Sequence, residues 1–286
     1  MSFISLNFVV LFACTFILYH TLPSRFRKAT LLTASCLFIG FYHLAFLITA
    51  LILTLTTFYL GKWIGQAKRE SGMKGIYFSG VCFLVVSWLA FRYADRLTNC
   101  HILFPLGISF YTFQAISYLT EIYWQEEEPE KSLPDFMIYM LFFMKFLSGP
   151  IERASDMLPQ LKSCKATDYT SMVYGMRLIV VGLIKKLILA DSIAPYIDGV
   201  FGSVYTASGV QLLMACLLYP IELYADFSGY TDIALGGARM LGFKLSPNFN
   251  RPFIAQTTAD FWRRWHMSLS VSYTHLRAHE TLANLV

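Results

Sequence analysis

Charge is scarce in this chain. Asp, Glu, Lys and Arg make up 14% of its residues, against about 25% in an ordinary soluble domain. Hydrophobic residues make up 56% and aromatics 16%, too much apolar surface for a soluble globule to hide. Paired cysteine motifs are missing as well. The six cysteines (Cys14, Cys36, Cys82, Cys100, Cys164, Cys216) are scattered with no C-x-x-C pair, which argues against a metal or disulfide framework and for free thiols acting as small hydrophobes. No internal repeat, long low-complexity tract or cleavable leader is evident. The net charge of +5 does not imply nucleic acid as a partner, because the basic residues sit in short loops beside apolar runs, where the positive-inside rule expects them.

What is present is a series of long apolar runs, which implies an all-α integral membrane protein. Phe3–Leu22 has no acidic or basic side chain except His20 and is long enough to cross a core of about 30 Å. The uncharged run Ala29–Leu60 would be roughly 48 Å long as one helix, so two passes breaking near Gly40-Phe41-Tyr42-His43 are predicted. That puts the basic clusters Arg25–Lys28 and Lys62–Lys74 on one side, predicted to be the cytoplasm, with the N-terminus outside. Further spans are predicted over Gly75–Phe91 and Pro134–Leu147. Ile102–Trp124 is apolar but carries Pro105, Gly107, Ser109, Thr112, Gln114 and Ser117, so it should face protein or water. Glu126–Glu130 reads as a solvated connector. Met172–Ala190 is either a span or an interfacial helix, with Lys185 and Lys186 as interface anchors.

The informative stretch is Tyr219–Ser270, which places Glu222, Asp226, Asp232, Arg239, Arg263, Arg264 and His266 in or beside apolar sequence. A charge at bilayer depth costs about 2.5–3.5 kcal/mol on insertion scales, so the cluster implies a hydrated site. If Phe227–Gly242 is helical, Ser228, Asp232, Gly236 and Arg239 share one stripe. There an Asp one or two turns from Arg239 can pair with it, either as a polar clamp for a helix bundle or as part of a binding site. Ser246–Pro252 cannot run as a helix. Thr257 is predicted to cap a new helix on which Asp260 pairs with Arg263 or Arg264, and on which Trp262 and His266 share a face.

Six blocks in order resemble the bacterial membrane-bound O-acyltransferase family, in the branch of alginate O-acetyltransferases and teichoic-acid D-alanyl transfer proteins. They are HILFPLGISFYTFQAISYLTEIY (His101–Tyr123), FLSGPIER (Phe146–Arg153), GLIKKLILAD (Gly182–Asp191), LYADFSGYTDIALG (Leu223–Gly236), NFNRPF (Asn248–Phe253) and FWRRWHMSLS (Phe261–Ser270). The resemblance implies part of a multi-helix ring around a polar funnel in the bacterial cytoplasmic membrane. It implies transfer of an acyl group, expected to be acetyl, from a cytoplasmic thioester (acyl-CoA or an acyl-carrier protein) to hydroxyls of an extracellular polysaccharide. No bound cofactor or metal is expected; the bilayer, the acyl donor and a periplasmic or extracellular acyl-transfer protein are the expected partners.

It also implies roles for residues. His266 takes a supporting catalytic role, and Asp226, Ser228, Asp232, Asn248, Trp262, Arg263 and Arg264 line the substrate site. In relatives the histidine given the base role lies in a later segment. Residues 1–270 are therefore expected to be the N-terminal portion of one such domain, inactive by itself. The tail 271–286 departs from the family pattern and reads as non-native; its His275 and His279 have metal-ligand spacing but no evident third ligand. The resemblance leaves D-alanyl transfer to teichoic acid as an alternative; by residue physics alone a transporter or flippase stays open, and a structural membrane subunit is a third reading.

Overall fold

The computed structural model describes residues 4–98, 107–147 and 149–268, with the side chains of 94–98 left aside. All regular structure among the described residues is helical: α1 (Leu6–Thr21), α2 (Ser24–Tyr42), α3 (Leu44–Gln66), α4 (Glu70–Thr98), α5 (Ile108–Tyr123), α6 (Leu133–Leu141), α7 (Ala154–Ser163), α8 (Tyr169–Leu183), α9 (Asp191–Gly202), α10 (Gly209–Met240) and α11 (Thr258–Arg264). A π-helix, Ile184–Ala190, joins α8 to α9, and a 3-10 turn, Pro252–Ile254, precedes α11. The helix α3, residues Glu70–Tyr93 of α4, and α10 are each long and apolar enough to cross a membrane. The chain is a multi-pass, all-α membrane protein.

The break predicted between two passes falls at His43. Its backbone is extended (φ −168°, ψ 138°) and its Nδ1 accepts the Ala45 N–H at 3.2 Å, capping α3. At the other end of α2, Pro23 stands immediately before the helix, where its fixed φ suits a helix start.

Several contacts gather chain ends at one basic face. Lys28 pairs with Asp135 at 2.7 Å and Lys162 with Glu130 at 2.7 Å. Arg27 donates to the Cys164 carbonyl at 3.0 Å, His20 meets the Met240 carbonyl at 3.1 Å, and Gln160 donates to the Lys244 carbonyl at 3.0 Å. The end of α1, the start of α6, the end of α7 and the end of α10 therefore share a level. The chain enters at α6 and returns at α7 on the same side.

This corrects the span predicted over Pro134–Leu147. The α6 helix has nine residues, about 14 Å at 1.5 Å per residue, too short to cross. Composition could not tell the two apart, because a buried hairpin and a lipid-facing span are equally apolar. What permits the early stop is cover and hydrogen bonding. Phe136, Ile138, Tyr139, Leu141, Phe142 and Phe143 are fully buried. Ser35 Oγ on α2 accepts the Phe143 N–H at 3.2 Å, and Gln114 on α5 donates to the Tyr139 carbonyl at 2.9 Å. Irregular backbone at membrane depth survives only where protein or water satisfies it. The hydroxyl and amide groups of α5 do face protein, as predicted, with Thr112 and Gln114 buried. Gly107 starts α5 at φ +74°, and a Cβ there would lie 2.5 Å from the Phe146 carbonyl oxygen.

Glu130 also departs from expectation. It is not a solvated connector residue but is 4% exposed, pairing with Lys162 and accepting the Lys131 and Ser132 N–H groups at 2.8 Å each. Burial pushes its carboxyl upward, yet the Lys162 ammonium and the two amides outweigh burial and hold it below the ordinary carboxylate value.

The helices α8 and α10 run antiparallel and touch through glycine. A Cβ on Gly182 would sit 2.6 Å from the Gly229 carbonyl oxygen, and one on Gly175 2.7 Å from that of Gly236. Seven residues separate the two glycines on each helix, so both contacts lie on one seam. Small residues at such a seam let helix backbones approach to contact.

Candidate active site

The predicted helix Phe227–Gly242 is the second half of α10, which runs 32 residues through Pro220. Measured back from Met240, Asp232 lies about 12 Å and Asp226 about 21 Å along a helix about 48 Å long. Both carboxylates are thus deep in the span.

Each finds a lysine on the π-helix. Lys185 Nζ is 2.6 Å from Asp232 Oδ2 and 5.8 Å from the centroid of Tyr224. Lys186 pairs with Asp226, and also with Asp191 at 2.8 Å. Lys185 and Lys186 are therefore not interface anchors, which corrects the sequence reading. Their ammonium groups reach the α10 carboxylates from the π-helix instead of turning to the interface. The pairing offered to Arg239 goes instead to Lys185. Arg239 and Asp232 are seven residues apart on one helix, whereas Lys185 reaches across from its neighbour. Arg239 lies over the Tyr174 ring at 5.6 Å.

A second group of residues forms around His266. The stretch after Phe243 has no helix until Pro252, as the two prolines and two asparagines predicted. Thr257 Oγ1 accepts the Asp260 N–H at 3.1 Å and caps α11, and Arg264 Nε meets both Asp260 oxygens at 2.9 and 3.0 Å. Both features were expected. The helix then ends at Arg264, and His266 takes a left-handed backbone at φ +49°. For a non-glycine residue that conformation costs on the order of 1–3 kcal/mol and needs support from its surroundings.

Asn248 supplies the support. Its carbonyl accepts the Met267 N–H at 2.8 Å, and its Oδ1 accepts the Ser268 hydroxyl at 2.6 Å; nearby, Asn250 N–H donates to the Arg264 carbonyl at 3.0 Å. Asn248 is thus a clamp that fixes the turn carrying His266. The same helix end overturns the shared face predicted for Trp262 and His266. Trp262 is 61% exposed and Arg263 is also exposed. The imidazole packs instead between Phe227, with ring centroids 5.1 Å apart, and Phe110, stacked at 6.0 Å. Phe249 closes the group, meeting Phe227 at 5.0 Å and Trp265 at 5.1 Å edge-on.

The structure thus sorts the sequence-predicted residues. Asp226 and Asp232 stand in the ionic seam. Asn248 is buried at the turn that carries His266, His266 is half-buried within the aromatic group, and Ser228 is buried on α10 next to Phe227 in sequence. Arg264 braces α11 through Asp260. The two groups join through Asp226 and Phe227, neighbours on α10. Three buried polar atoms here have no hydrogen-bond partner among the described residues: His266 Nδ1, Asn248 Nδ2 and Ser228 Oγ. Most buried polar atoms are paired, so unspent ones ask for a ligand or water. An imidazole nitrogen among them is the atom able to exchange a proton with a hydroxyl near neutral pH.

Sequence reasoning missed Phe110 and Lys145. Nothing marked the phenylalanine. Lys145, a lysine inside an apolar run, was visible and was absorbed into a supposed span. The segment 101–106 of the first resembling block and the tail with His275 and His279 lie outside the described residues.

Residues 130–271 match the membrane-bound O-acyltransferase family. The chain is 35% identical over 289 aligned positions to a probable alginate O-acetylase of Azotobacter vinelandii, covering 94% of this chain and 57% of that protein. It is 30% identical to a peptidoglycan O-acetyltransferase of Helicobacter pylori, over 86% of this chain and 54% of the relative. It is 32% identical to a teichoic acid D-alanyltransferase of Bacillus subtilis, over 58% and 42% respectively. The chain thus spans a little over half the length of the first two relatives. The matched domain brings the re-entrant hairpin, the ionic seam and the histidine turn into a single assignment: this chain belongs to the membrane-bound O-acyltransferase family.

Proposed function

We propose that the protein transfers an acyl group, acetyl being the best supported, from a thioester donor to a hydroxyl of a cell-surface polysaccharide. The observation that carries this reading is His266, held at the depth of Phe227 on a strained turn with Nδ1 buried and unspent. Family membership and the O-acetylase relatives support the same chemistry. The acceptor hydroxyl loses its proton as its oxygen attacks the thioester carbonyl; collapse then breaks the C–S bond and the thiol leaves with a proton. His266 is assigned a supporting role, orienting the acceptor hydroxyl or relaying its proton. Ser228 and the Asn248 amide line the approach, and Trp262, Arg263 and Arg264 contact substrate at its mouth. The basic face is assigned to the cytoplasm, where the donor (acyl-CoA or an acyl-carrier protein) would enter, in a bacterial inner membrane. A periplasmic acyl-transfer protein would take part in delivering the group.

The test uses the full-length protein in membrane vesicles with a labelled acetyl thioester and a polysaccharide acceptor. His266→Gln is expected to lower transfer by about 10²-fold or more, the typical worth of a positioned acid–base group, while insertion is unchanged. Undiminished transfer by the variant would remove His266 from the mechanism.

A further inference from the structure

Between the basic face and the histidine turn lies a cavity of about 120 Å³, several times the space one water needs. Its walls are Arg153 and Asp156 from the hairpin, Ser246 and Pro247 from the loop after α10, and Met267 and Ser268. Two observations fix its place. At the outer end, Gln160 accepts the Lys244 N–H at 2.8 Å and donates to the Lys244 carbonyl at 3.0 Å. Asp156 is one helical turn inward from Gln160 on α7, about 6 Å, and Ser246 is two residues past Lys244. At the inner end, Met267 follows His266 directly.

The free groups in this cavity suit a neutral polar ligand. The Arg153 guanidinium is half-buried, and neither it nor the Asp156 carboxylate has an ion pair or hydrogen bond among the described residues. Asp156, with Glu121 on α5 also within reach of the Arg153 charge, leaves the cavity without net positive charge, so an anion gains little there. Ser246 spends its N–H and hydroxyl on Glu152, at 2.6 and 3.2 Å, and the Ser268 hydroxyl donates to Asn248 at 2.6 Å. What remains is one donor fork and one carboxylate acceptor, between the apolar walls of Pro247 and Met267. That set matches an amide, whose carbonyl accepts from a guanidinium and whose N–H donates to a carboxylate.

We propose that this cavity holds the amide-bearing arm of the thioester donor, with Arg153 and Asp156 as its binding residues. The inference rests on the acyl-transfer reading above. Acyl-CoA and an acyl-carrier protein present the thioester on the same pantetheine arm, a neutral chain with amide groups, so one cavity serves either donor. The arm lies with its phosphate end toward the basic face and its sulfur end toward the histidine turn.

The experiment gives the full-length protein in vesicles a polysaccharide acceptor and an acetyl thioester, acetyl-CoA or acetyl-carrier protein, whichever the native protein uses. Two fragments of the donor compete with it. One is pantetheine, the arm alone; the other is the donor without its arm, an adenosine bisphosphate or the apo carrier protein. Arg153→Met is expected to raise the KM of the donor and the inhibition constant of pantetheine about tenfold, the worth of one hydrogen bond to a charged group. The kcat and inhibition by the armless fragment should not change. Asp156→Leu, at an exposed position, should act the same way and decides the matter if Arg153→Met does not accumulate. A fall in kcat with both constants unmoved would make these residues structural. A rise confined to the donor and the armless fragment would assign them to another part of the donor. Either result, or native protein that pantetheine does not inhibit, overturns the proposal and leaves acyl transfer intact. If the native protein transfers acetyl from neither thioester, the acyl-transfer reading fails and takes this one with it.

Discussion

Asp232 gives up hydration to reach Lys185, so removing either partner strands the other at membrane depth. Asp232→Asn is expected to destabilise the protein by about 2 kcal/mol, less than the roughly 3–5 of a fully buried pair, because both side chains keep some exposure (18% and 26%). The double change Asp232→Leu with Lys185→Met should recover part of that loss, since an apolar pair carries no desolvation penalty. Thermal melts in detergent compare the three proteins; a double change worse than the single one would show that the pair does more than hold the seam. Glu130 gives a pH-dependent counterpart. Its folded carboxyl lies below its ordinary value near 4.3, so its contribution is complete above that value and lost as pH falls through the folded one. Melting temperature should drop below about pH 4.3 in the native protein and drop less in Glu130→Gln.

The elements differ in how far the sequence revealed them, for physical reasons. The break at His43 and the loop 246–252 were legible because length and proline dictate them locally. The clamp on α11 was legible at its start, where Thr257 and Asp260 cap it, and illegible at its end. Nothing in Trp262–Met267 stops a helix by propensity; the stop is imposed by Asn248, distant in sequence from the turn it holds. The same holds for α6, ended by hydrogen bonds from α2 and α5. Lys185 and Lys186 read as anchors because their partners, Asp232 and Asp226, lie far along the chain on α10 and meet them only through the helix pairing. The glycine seam offers the clearest element-scale test. A side chain on Gly182 must displace the α10 backbone, since its Cβ would lie 2.6 Å from a carbonyl oxygen rather than a flexible side-chain end. Gly182→Leu is expected to separate α8 from α10 and abolish accumulation of folded protein. Gly199→Leu, where nothing lies within 4 Å, should be tolerated, by the same measurement of monodisperse yield after solubilisation.

At the scale of the molecule, the topology follows from which ends share the basic face. If residues 130–165 form a re-entrant hairpin, Glu128 and Ser163 lie on the same side of the membrane as Lys28, while His43 and Ser208 lie on the other. A single span over 134–147 would instead put Glu128 and Ser163 on opposite sides. Cysteines placed one at a time at these five positions, in a protein with its native cysteines replaced, separate the alternatives by labelling with an impermeant maleimide. Positions 28, 128 and 163 are expected to react from one side of sealed, oriented vesicles, and 43 and 208 from the other. The hairpin matters because it places Lys145 and the start of FLSGPIER at depth without exposing backbone to lipid. Labelling of 163 from the side opposite 128 would turn the hairpin into a crossing and separate Arg153 from the turn that carries His266.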